Sequence, residues 1–99
     1  MNPPRTLLDK IWTTHLVRDL GEGVGLLAID RVFLHERTGS IALRSLREAG
    51  RPVADPRRVF CTMDHIVDTV PGRGDDTRMP GGRAFITETR AASLEAGIH

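Results

Sequence analysis

His35-Glu36 and Asp64-His65 are the residues of this chain whose types and spacing could do chemistry. Each pair ends an apolar run, Val32-Phe33-Leu34 in the first case and Val59-Phe60-Cys61-Thr62-Met63 in the second. An Asp bonded to one imidazole nitrogen fixes the tautomer and raises the basicity of the other, which suits proton delivery near neutral pH. Neighbouring side chains on an extended strand point to opposite faces. Asp64 and His65 therefore cooperate only if the chain leaves the extended conformation between them. The plainer alternative is that Asp64 caps a turn and His65 is a solvated loop residue. A metal reading of Cys61, His35 and His65 lacks the second cysteine or close-spaced histidine that completes tetrahedral coordination. An inert, buried Cys61 is the simpler assignment.

The elements around these pairs decide whether they meet. Thr38-Gly39-Ser40 offers N-cap oxygens, and Ile41, Ala42, Leu43, Leu46 and Ala49 supply a helical stripe that stops at Gly50. Arg51-Pro52-Val53-Ala54-Asp55-Pro56 is a loop, and Arg58 to Met63 reads as a strand. Strand, helix and strand predict a parallel βαβ unit with its strands about 4.8 Å apart. Ligands bind at the carboxyl ends of such strands, where both polar pairs fall.

Upstream, Thr6 and Asp9 have the spacing of a capping box, and Leu7, Leu8, Ile11, Trp12 and Leu16 predict an amphipathic helix over residues 6–19. His15 lies on that stripe and reads as a packed, hydrogen-bonded histidine; Gly21-Glu22-Gly23 reads as the helix stop. Val24 to Leu34 is nearly continuously apolar, as expected of a strand buried on both faces. Asp30-Arg31 interrupts it and demands a bulge, a break or a salt bridge. Residues 66–82 form a long glycine-rich loop, and a third helix carrying Phe85, Ile86 and Ala92 runs to Gly97. The expected architecture is one α/β domain over residues 1–99, an incomplete three-layer unit of order α-β-α-β-α with an open sheet edge.

Composition bounds the function. Ninety-nine residues allow one modest core, and with no Tyr and 4% aromatic residues few large side chains can close it. Fourteen Lys and Arg against thirteen Asp and Glu leave +1, and Lys10 is the only lysine. Arginine suits anionic substrates, although a GC-rich genome produces the same bias. No basic block marks a nucleic-acid footprint. The single cysteine, Cys61, excludes an internal disulfide and cannot by itself hold an iron–sulfur cluster. No signal-peptide core and no membrane-length apolar run is present, so a soluble, cytoplasmic chain is expected.

Lys10-Ile11-Trp12-Thr13-Thr14-His15-Leu16-Val17, Ile29-Asp30-Arg31 through His35-Glu36, and Thr62-Met63-Asp64-His65 occur in order along about the first two thirds of the chain. Together they closely resemble the opening of the aconitase and isopropylmalate dehydratase family of hydro-lyases. The resemblance implies dehydration and rehydration of a hydroxylated di- or tricarboxylic acid, with a four-iron four-sulfur cluster acting on the substrate hydroxyl. Asp64 and His65 match the family's Asp-His pair, which helps protonate the departing hydroxyl. His35 falls where aconitases place a substrate-contacting glutamine and isopropylmalate enzymes a histidine. The family's cluster cysteines, catalytic base and most substrate arginines lie further along than these residues, and Cys61 is not one of the ligands. The resemblance therefore implies an N-terminal portion of a large subunit, inactive and cluster-free by itself. It also implies that the remainder of that subunit and a separate small subunit are partners.

Overall fold

The computed structural model describes residues 2–99, which fold as two compact units, one ending at Asp30 and the other spanning Arg31–His99. In the first unit, helix α1 (Leu7–His15) opens on the capping box: Thr6 Oγ1 accepts the Asp9 N–H at 3.0 Å, and Asp9 Oδ2 accepts the Thr6 N–H at 2.9 Å. The helix stops at His15 instead of continuing to residue 19. Leu16–Gly21 is a strand, β1, paired antiparallel with β2 (Val24–Leu27). The loop between them is Glu22-Gly23, with φ of +53° and +77°. Two positive φ angles in succession are what a tight hairpin loop needs for its twist to match the strands. The glycine pair thus closes a hairpin, and cross-strand pairing of Leu16 with Leu27 wins over the helical stripe. A Cβ at Gly25 would lie 2.7 Å from the Trp12 ring, so the hairpin packs on α1 where only glycine fits. No side chain of α1 or of either strand is buried.

The Val24–Leu34 run is likewise two strands, not one, broken around Asp30-Arg31 with Asp30 bonded to His15. The second half, β3 (Val32–His35), pairs in parallel with β4 (Val59–Thr62) in the register Val32↔Val59 to His35↔Thr62. Between them runs α2 (Gly39–Glu48), followed by a short 3-10 turn at Pro56–Arg58; α3 (Gly82–Glu95) follows the glycine-rich loop. This is the expected α/β class with its parallel βαβ unit. Leu43 of α2, Val59 of β4 and Ile98 form the core, with Leu34, Cys61, Val53, Ala92 and Ala96 against it. Phe33 and Phe60, one position off in the strand alternation, stack with centroids 5.5 Å apart, and Phe33 remains 69% exposed. Beyond α3, His99 offers its carbonyl to the Cys61 N–H at 2.7 Å, along the edge of β4.

Candidate functional site

Both strands of the parallel pair finish at the same edge, so His35, the last residue of β3, is level with Thr62, the last of β4. Past Thr62 the N–H groups of residues 64–66 have no ladder to join. They are bonded by a side chain: Glu36, fully buried, accepts the N–H of Asp64 at 3.1 Å and those of His65 and Ile66 more closely. Burial pushes the Glu36 carboxyl up, but the N–H groups of Ile66, Glu36 itself, Asp64 and His65 outweigh it and hold it below its ordinary value. The Glu36 carbonyl in turn accepts Thr89 Oγ1 of α3 at 3.0 Å, from a threonine with no exposed surface. Glu36 thus turns the chain out of the strand, and α3 fixes Glu36.

The turn brings the polar pairs together. His35 and His65 stack with centroids 3.9 Å apart and planes 20° apart. Asp64 Oδ1 lies 2.9 Å from His65 Nδ1 and 3.3 Å from Thr62 Oγ1. The His65 bond, with help from Thr62 and the nearby His35, keeps the Asp64 carboxyl below the usual aspartate range. An ionised Asp64 accepts the Nδ1–H, which leaves His65 Nε2 as the nitrogen able to take up or release a proton. His65 is half exposed, open to a bound molecule. His35 Nε2 lies 3.4 Å from Thr38 Oγ1, while its Nδ1 is buried and has no hydrogen-bond partner.

Metal binding is a poor use of these groups. His35, Glu36 and His65 each offer a ligand atom within 4.8 Å of the others. Nearly parallel rings, however, direct their lone pairs side by side instead of converging, and the Glu36 oxygens are already bonded to backbone N–H groups. Cys61 stands outside this group, half-buried against the core. A cavity of about 550 Å³ between α2 and α3 has none of these residues in its lining. Four of its charged side chains are paired, Arg44 with Glu88 and Arg47 with Glu95.

The sequence reading identified His35, Asp64 and His65, and the structure places all three on one rim. Glu36 as the organising residue was missed, although an acid directly after a strand-ending histidine was the available signal. Thr89, fifty-three positions away from Glu36, carried none.

Comparison with known families bears directly on this rim. The chain matches the family of aconitases (aconitate hydratases) over residues 9–91. It belongs to the aconitase family. The match takes in the whole of the His35, Asp64 and His65 rim. No solved structure matches the chain. Aconitase-family proteins are hydro-lyases that typically use a four-iron four-sulfur cluster. Cysteine thiolates hold such clusters. The chain's single cysteine is partly buried against the core, and one thiolate is not the donor set of a cluster, so the residues present do not fit one. No helix among the described residues is long and apolar enough to cross a membrane.

Proposed function

We propose that this chain forms one wall of a hydro-lyase active site acting on a hydroxylated dicarboxylic acid, with 3-isopropylmalate the foremost candidate substrate. The observation that carries the reading is the Asp64–His65–His35 arrangement: a carboxylate on Nδ1, a free Nε2, and a second imidazole stacked on the first. In the dehydration direction, His65 Nε2 gives its proton to the leaving hydroxyl as the C–O bond breaks, and water departs. Asp64 stabilises the imidazolium before transfer and the tautomer after it. In hydration the same nitrogen takes the proton back. His35, stacked on the His65 ring at the same strand ends, is the residue assigned to contact substrate. Histidine at this position favours the isopropylmalate branch over the aconitases.

The abstraction of the carbon-bound proton and the cluster are assigned to residues outside this chain; any cluster serving the site takes its thiolates from cysteines other than Cys61. The rest of a large subunit and a separate small subunit are the proposed partners, and the compartment proposed is the cytoplasm. The test is a hydratase assay on the assembled enzyme containing this segment, with isopropylmaleate, citraconate and cis-aconitate as substrates. Preference for isopropylmaleate is expected. Preference for citraconate or cis-aconitate would move the assignment to a sister hydratase, and turnover of none would contradict it. The 99 residues alone are expected to turn over nothing.

A further inference from the structure

The loop that follows His65 is built around an ion cluster that the proton chemistry does not use. Asp68, whose side chain is 7% exposed, has two guanidinium groups within ion-pair distance of one oxygen, Arg73 Nη1 at 2.9 Å and Arg78 Nε at 3.3 Å, neither aligned as a hydrogen bond. Its other oxygen accepts the Val70 N–H at 3.0 Å. One buried carboxylate under two guanidinium groups leaves a net positive charge. The acids nearest in the loop are committed elsewhere, Asp75 to Arg90 and Asp76 to Arg83. Arg78 approaches Asp68 through Nε, which turns its Nη edge away from that carboxylate, and the side chain is 75% exposed. A cavity of about 260 Å³, lined by residues 66–69 and 77–79, opens beside it, next along the chain from His65 but without His65 in its lining.

The same loop is fastened to the catalytic rim. Thr77 Oγ1 donates to the carbonyl of Ile66, the residue whose N–H is held by Glu36. A Cβ at Gly82 would collide with Ile66 and Thr77, so the loop closes tightly on this point. His65 and Arg78 each stand one residue, about 3.8 Å of chain, from the two ends of that bond. The Nη edge of a guanidinium is the fork that fits a carboxylate through two parallel bonds.

We propose that Arg78 is the residue of this chain that binds a substrate carboxylate, with Asp68 and Arg73 as its positioning residues. The inference rests on the hydro-lyase reading and adds its anion-recognition element. Arg78 holds the acid by one carboxylate while the hydroxyl-bearing carbon is presented to His65.

The experiment is a titration of the 99-residue chain, labelled with nitrogen-15 on arginine and histidine side chains, with methylsuccinate, a saturated dicarboxylate that cannot react. The expected result is that Arg78 and His65 signals move together with one Kd, and that acetate at equal ionic strength moves them far less. R78Q should raise that Kd about tenfold or more, the loss of a charge-assisted pair of hydrogen bonds. R78K, which keeps the charge without the fork, should fall between. Backbone spectra of both variants must overlay the parent outside residues 66–82. A shift at His65 with Arg78 silent and an unchanged Kd in R78Q would overturn the proposal while leaving the hydro-lyase reading intact. A shift at Arg78 with His65 silent would mark an anion site unconnected with the reaction and overturn it as well. No shift at either would overturn the proposal, while the hydratase assay on the assembled enzyme decides the hydro-lyase reading separately.

Discussion

The molecule contains the same ion pair twice, in two regions, and uses it differently. His15 and Asp30 are joined at 2.9 Å in the first unit, and His65 and Asp64 at 2.9 Å in the second. In the first, the other ring nitrogen is also occupied: His15 Nδ1 lies 2.7 Å from the Ile11 carbonyl and 3.0 Å from Thr14 Oγ1. In the second, the other nitrogen is free. The carboxylate of Asp30 and the Ile11 carbonyl raise the His15 pKa above its ordinary value, which favours the form with both N–H groups bonded. A histidine with both nitrogens satisfied is a staple between a helix end and the residue that closes its unit. A histidine with one nitrogen satisfied and one presented to solvent is an acid–base group. Distance to the carboxylate does not separate the two cases; the fate of the second nitrogen does.

The comparison can be broken most severely at His65. H65N keeps a polar group of similar shape but cannot transfer a proton, and the assembled hydro-lyase should lose roughly a hundredfold or more in kcat; activity within a few-fold of the parent would contradict the assignment. Glu36→Gln comes next. It removes the charge that three backbone N–H groups point at and should destabilise the second unit by about 2 kcal/mol in urea unfolding, with loss of the His35–His65 ring contact. The same carboxylate predicts an acid limit. Its folded pKa lies below its ordinary value of 4.5, so the stability it supplies is present above that pH and is lost as the pH falls through the lowered folded value. A melting curve followed against pH should show the rim loosening in that range, and E36Q should flatten the dependence. The smallest effect belongs to H15A. The His15 contribution has the opposite sign: present below pH 6.5 and lost as pH rises through its raised folded value. H15A should lower the thermal midpoint slightly at acid pH, less at alkaline pH, and leave hydration rates unchanged.

Legibility in the sequence followed the range of the interactions. Strand character at Val32–Leu34 and Val59–Thr62, the α2 helix between them and the irregular 66–82 stretch were readable because periodicity and glycine placement are local signals, and the βαβ order then implied the parallel pairing. The hairpin was not. Leu16 and Val17 continue the helical stripe as well as they begin a strand, and only cross-strand pairing decides between them. Glycines at 21 and 23 serve a helix stop and a tight turn equally well in sequence; positive φ at three consecutive residues belongs to the turn. At the rim, His35, Asp64 and His65 were legible as residue types at strand ends. The means by which Asp64 and His65 come to cooperate was not, because it depends on a buried acid twenty-eight positions earlier in the chain.

The most direct test is the tautomer and neighbour of His65, read by long-range nitrogen–proton NMR on the histidine-labelled chain at alkaline pH. The Nδ1–H form is expected, lost in D64N, with ring-to-ring Overhauser contacts to His35 in the parent. An Nε2–H form, or a His65 ring with no contact to His35, would contradict it.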